Sequence, residues 1–244
     1  MRVKVLVVLA SSLVFASNAF CDAFLATYLG AGVQTPAGIT SNYETFNGIT
    51  PGTSHSFTTN FNNSAYIGTY TGAVQWTRAN VYGGAGGSGT YPETFSSYTL
   101  TLSASANYFG LWFSALDAGN QLSFYQGSTL LYTFTPKDFV RLVGSCPGSG
   151  FCGNPNPSFS GGDNQEQFAY LNFYDQTGGF NRIVFTELNH LGGFESDNQA
   201  VATLSTPPFG RVVTSLPEPP VTGAIALVLI AGGLVYRRRR SFNA

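Results

Sequence analysis

Charge is what this chain has least of: Asp, Glu, Lys and Arg together make up 9% of its 244 residues. Histidine occurs twice and cysteine three times. His55 lies in a Ser/Thr-rich segment and His190 stands beside Leu191-Gly192-Gly193, so neither has a neighbouring set of ligands or a marked catalytic partner. No Gly-x-Ser-x-Gly nucleophile elbow occurs. The glycine run Gly83-Gly84-Ala85-Gly86-Gly87-Ser88-Gly89 lacks the following Lys-Ser or Lys-Thr of a phosphate loop and reads as a flexible bridge. Helix-favouring Glu, Lys and Met are also sparse, with a single methionine in the chain. This argues against a helical body.

The basic residues that do occur are concentrated at the ends. Between Phe24 and Leu216 five basic residues face ten acidic ones, a net charge of −5, against −1 for the whole chain. An acidic body without a basic patch excludes nucleic acid as a partner, because that binding rests on neutralising phosphates with Lys and Arg.

At the amino end, Arg2 and Lys4 precede a short apolar run from Val5 to Val14 and the small residues Ala16-Ser17-Asn18-Ala19. This is the pattern of a signal peptide, residues 1–19, read by the Sec export machinery, with cleavage after Ala19 or, alternatively, Ala23. Phe20 before Cys21 is too large for a lipoprotein signal. At the other end Pro217-Glu218-Pro219 leads into an uncharged run, Val221 to Tyr236, that stops at Arg237-Arg238-Arg239-Arg240. As a helix, residues 221–236 reach about 24 Å. That approaches the roughly 30 Å of a bilayer core, and snorkelling arginines and local thinning cover the difference. Four arginines resist translocation, which places the tail in the cytoplasm and the body outside.

Pro-Glu-Pro, a short hydrophobic helix and an arginine cluster, in that order over residues 217–240, resemble the PEP-CTERM sorting signal of exported bacterial proteins. The resemblance implies recognition and removal of the tail by an exosortase, a membrane-embedded transpeptidase. It also implies a transient stay in the inner membrane with the body in the periplasm, and final delivery to the cell surface or matrix of a Gram-negative, exopolysaccharide-producing bacterium. Ser241-Phe242-Asn243-Ala244 extend beyond the arginines, where many such tails end. An uncut single-span anchor is the competing reading.

Residues 20–204 read as an all-β domain, an antiparallel β-sandwich of jelly-roll type, and 205–216 as a Pro-rich linker holding it off the bilayer. Tyr98, Leu100, Leu102 and Ala104 alternate with Thr99, Thr101, Ser103 and Ser105, the period of a strand with one buried face. Further strands are predicted at residues 54–61, 72–77, 108–114, 121–125, 130–135, 168–174 and 182–188. Gln126-Gly127-Ser128-Thr129 marks a tight hairpin. A second loop, Gly144 to Gly162, is rich in Gly, Pro, Asn and Ser and carries Cys146 and Cys152. Two cysteines so close in an exported chain predict a local disulfide.

Three groups of residues in the body invite a functional reading. Asp117 with Asn120, and Glu195 with Asp197, in segments 117–120 and 194–198 read as polar loops, offer the hard oxygen donors that Ca²⁺ prefers, although Asp, Gly and Asn also simply build turns. Trp76, Trp112 and Tyr174 would stack on sugar faces if exposed, in a carbohydrate-binding module for exopolysaccharide. Glu187 with Glu195 or Asp197 is the nominal carboxylate pair of a glycoside hydrolase. Segments 108–117, 168–173 and 193–198 more loosely resemble the bodies of a recurrent group of exosortase-dependent surface proteins, which implies location and architecture but no chemistry. The expectation is therefore a non-catalytic, structural surface protein, with sugar binding and glycoside hydrolysis as the alternatives.

Overall fold

Among the described residues, fourteen strands and one helix form, and the strands pair into two antiparallel sheets, an all-β sandwich. The computed structural model describes residues 24–38, 43–62, 64–79, 83–156, 163–189 and 192–215. Residues 1–19, read as a signal peptide, residues 217–240, read as a sorting signal, and His190 lie outside them, and no described helix is long and apolar enough to cross a membrane.

Strands are numbered along the chain. The larger sheet runs in the order β14 (Arg211–Ser215), β1 (Phe24–Tyr28), β11 (Ala169–Asp175), β8 (Tyr108–Ser114), β13 (Phe194–Ala202), β6 (Thr90–Thr94) and β5 (Gln75–Arg78), with β2 (Tyr43–Glu44) added on β13. The smaller runs β10 (Thr129–Phe134), β9 (Asn120–Gln126), β12 (Phe180–Glu187), β7 (Ser97–Ala106), β4 (Gly68–Gly72) and β3 (Phe57–Thr59).

The core between the sheets is aromatic, as a chain rich in Phe and poor in Met requires. Phe124 on β9 meets Phe24, Phe109 and Phe173 of the opposite sheet with ring centroids at 5.2, 6.1 and 5.1 Å. Such tilted and edge-on pairs are worth about 0.5–1.5 kcal/mol each beyond area burial. On β7, Tyr98, Leu100 and Leu102 point inward as their alternation predicts, but Ala104 is exposed and Ala106 takes the inward place. The hairpin closes where expected: Thr129 pairs with Gln126 around Gly127-Ser128, and Gly127 holds φ +59°, which a two-residue hairpin turn demands.

The larger sheet departs from simple alternation. Every residue of β8 and β11 is buried. Phe109, Leu111 and Phe113 face the core, while Tyr108 and Trp112 point the other way and are covered by loops. Trp112 packs there with Leu29, Ala115, Phe168 and Tyr170.

Three expectations are corrected. Residues 194–198, read as a polar loop, belong to the buried strand β13, because its polar side chains find partners under the covering loops. Arg211–Ser215, read as linker, pairs with β1 as an edge strand. A helix, α1 (Pro136–Val143), also forms where none was expected. Pro136 suits its first turn and Phe139 anchors it on Tyr28 and Phe151, but eight residues are too few to show a helical period.

Because Phe124 joins the two sheets at their centre, Phe124→Ala should lower unfolding stability by about 4 kcal/mol, the usual cost of a large cavity in a core. Chemical denaturation measures this, and a loss below about 1 kcal/mol would contradict the packing described.

Candidate functional site

One end of the larger sheet's outer face gathers acids. Glu93 on β6 and Glu195 on β13 are direct cross-strand partners, which puts two carboxylates side by side on one face. Like charges in this position repel. Both are buried, at 3% and 4% exposure. Thr77 donates its hydroxyl to Glu93 Oε2, but no hydroxyl, amide or cation donates to Glu93 Oε1 or Glu195 Oε2, and the two carboxyls can pair only by sharing a proton.

Three more acids complete the walls. The turn after β8 brings Asp117, and the chain following the cysteine loop brings Asp163 and Glu166. Together with Phe95, Ala115, Gly192 and Gly193 these five line a cavity of about 270 Å³. Half of the body's ten acidic residues thus surround one hollow. Among the described residues no cation pairs with them; the ion pair formed there is the exposed Asp138–Arg141 contact on α1, at 3.2 Å.

Local structure explains each placement. Cys146 and Cys152 are joined by a disulfide with Cα atoms 5.6 Å apart. Cys152 bridges to Gln167, and the Gly153 N–H donates to the Glu166 carbonyl at 3.0 Å. The stapled loop therefore anchors the segment that carries Asp163 and Glu166 to the cavity. Asn120 fixes the opposite wall: its Nδ2 donates to Glu187 Oε2 and to the Gly193 carbonyl, both at 2.8 Å, and its Oδ1 accepts from the Asp117 N–H at 2.8 Å. Gly192 and Gly193 leave the space the acids occupy, since a Cβ on either would collide with the carboxylate of Asp117 or Glu195.

Burial without cations pushes these carboxyls up. Desolvation raises Glu195 well above the usual range, and Glu93 and Asp117 add to it. Desolvation also raises Glu93. Asp117 is lifted by burial and then by Glu187 and Asp163, and Asp163 by burial. Glu166 is pushed to about 7, by burial first and by Asp117 and Asp163 next. Such a hollow can hold protons or a cation bound through oxygen.

Of the residues singled out from sequence, Asp117 and Glu195 are brought together here. Asn120 is fully buried and its carboxamide is committed to the clamp just described. Asp197 sits further along β13, where its two oxygens accept the N–H groups of Ala85 and Asn198 at 2.7 Å each, so it tethers the glycine-rich bridge. Burial raises its carboxyl to about 8. Glu187 is held by Asn120 and the Asn189 N–H and is not among the residues lining this cavity.

The stacking platforms are corrected as well. Trp76 is 1% exposed with its indole N–H on the His55 carbonyl at 3.1 Å, Trp112 is fully covered, and Tyr174 is 6% exposed. Trp76 does line a larger open groove of about 390 Å³ along β5, but Arg78 is the one charged residue there and the indole face is packed by Phe46 and Phe57. Sequence reasoning missed Glu93, Asp163 and Glu166, whose proximity depends on non-local strand pairing and on the path of the stapled loop. The excess of acids over bases was the available signal.

Against known protein families, curated proteins and solved structures, the chain has no match.

The folded carboxyls keep protons that an unfolded chain releases above about pH 4.3. Their contribution is therefore fully present below that pH and is lost as pH rises through the folded values, about 7 for Glu166. In chelator, the melting temperature should fall between pH 5 and 7.5, and Glu195→Gln should flatten that fall. A wild-type melting temperature that rises across this range would contradict the electrostatics.

Proposed function

We propose that this is an exported surface or matrix protein of a Gram-negative, exopolysaccharide-producing bacterium, delivered by Sec and sorted by an exosortase, with a non-catalytic structural body. The observation that carries the proposal is the order of three elements at residues 217–240: Pro217-Glu218-Pro219, an uncharged apolar run and Arg237 to Arg240. Each element has a physical role in a transient inner-membrane intermediate. The prolines let a helix start, the run inserts, and the arginines hold the tail on the cytoplasmic side.

Three features of the body support the reading. The Cys146–Cys152 disulfide suits an oxidising compartment. The net charge of −5 in residues 24–216 suits a matrix rather than nucleic acid. Strand β14 ends at Ser215, so the folded body gives way almost at once to the sorting segment. The sandwich is taken to be of jelly-roll type, because successive strands from β7 to β9 and from β10 to β13 alternate between the two sheets.

Intact-mass measurement of the protein from its native host tests the sorting. The expected species lacks residues 1–19, or 1–23, and also lacks Arg237 to Arg240. A mature protein that retains the arginine cluster would make the segment a plain anchor and overturn the exosortase reading.

A further inference from the structure

The acid-lined cavity is independent of how the chain's end is processed, and its contents can be argued from its own geometry. Glu93 and Glu195 stand paired across antiparallel strands in a water-poor site, an arrangement whose repulsion destabilises the fold unless something neutralises it. Ordinary structural acids find Arg, Lys or backbone N–H partners. Here Glu93 Oε1 and Glu195 Oε2 have no such partner, although both residues are more than nine-tenths buried and line the hollow; all the two carboxyls can offer each other is a shared proton. Asp163 Oδ2, on the opposite wall, is also without a partner.

We propose that this cavity is a calcium site, with Glu93 and Glu195 as its inner ligands and Asp117, Asp163 and Glu166 closing its outer side. Ca²⁺ takes six to eight oxygens at about 2.3–2.6 Å in irregular geometry and accepts water among them. Carboxylates from four separate segments supply such a set, and about 270 Å³ leaves room for the ion with several waters at roughly 30 Å³ each. Mg²⁺ demands a tighter octahedron and gives up its waters reluctantly. Zn²⁺ prefers His and Cys, and among the described residues neither lines the cavity.

Among the described residues no three His, Cys, Asp or Glu side chains stand gathered as a preformed metal cluster. Entry of the ion therefore draws the acids inward. The flexible glutamates do this by rotating away from Gly193, against which both now stand. The raised affinity of these carboxyls for protons has the same origin, a concentration of negative charge lacking its counter-ion. The segment following the disulfide-stapled loop contributes two of the five ligands, and the Cys152–Gln167 bridge and the Gly153–Glu166 hydrogen bond tie it to that loop.

Equilibrium dialysis of the full chain in detergent against ⁴⁵Ca²⁺, after stripping with EGTA, tests the proposal. One ion per chain is expected, with a dissociation constant of about 10⁻⁵ to 10⁻³ M, in the range from sensors to extracellular modules. Glu195→Gln and Asp117→Asn should each weaken binding at least about ten-fold, while Asp138→Asn, on the exposed helix, leaves it unchanged. Calcium should raise the wild-type melting temperature. Glu195→Gln should be more stable than wild type in EGTA and gain nothing from calcium, a pair of signs that general damage to the fold does not produce. If Glu195→Gln fails to fold, the half-buried Asp117→Asn decides the question. Absence of saturable binding overturns the proposal, as does binding that survives both cavity variants. Calcium-independent polysaccharide hydrolysis lost in Glu195→Gln would assign the acids to catalysis instead and also overturn it.

Discussion

Covering the outer face of the larger sheet is the constraint on which the rest of this structure depends. A sandwich buries one face of each sheet against the other and can leave the second face to water. In this protein β8 and β11 are buried on both sides, so the outer face needs a lid. The lid is made of loops, and loops bring backbone polar groups that must be paired. This requirement explains side chains that otherwise look misplaced. Asp197 accepts the Ala85 N–H, Asn198 donates to the Gln34 carbonyl, and the Tyr170 hydroxyl donates to the Asn198 carbonyl. Polar residues inside β13 are thus the attachment points of the cover.

The same cover creates the acidic hollow. Where the turn at Asp117 and the segment after the stapled cysteine loop meet above β6 and β13, Glu93 and Glu195 are buried and Asp117, Asp163 and Glu166 half-buried around one hollow. Stability is not the reason for this grouping, because burying uncompensated like charges works against folding. A cation bound through oxygen removes the conflict and joins the covering loops to the strands beneath them. For a body proposed to serve at the surface or in a matrix, tying loops to sheet with an ion abundant outside cells would give rigidity without a larger core.

Much of the architecture was legible because it is local. The alternation at residues 98–102, the apolar run of β8 and the turn at Gly127-Ser128 each express a period or a backbone demand that a few neighbouring residues reveal. What was not legible depends on pairing between distant segments. Residues 194–198, read as a loop for their Glu, Ser, Asp and Asn, are strand because partners arrive from residues 34, 85 and 98. The facing of Glu93 and Glu195 comes from a register set across about a hundred residues of sequence. Trp112 offered no sign of which face it would occupy, and an aromatic in a strand serves core or platform equally well on pattern alone.

The covered face is tested most directly by the solvent access of Trp112. In a Trp76→Phe background it is the remaining tryptophan of the chain, so its fluorescence reports that face alone. The account predicts blue-shifted emission and negligible quenching by iodide in the native protein, with quenching restored on unfolding. Native emission near that of free tryptophan, quenched as efficiently as in the unfolded chain, would show an open platform and contradict the covered sheet.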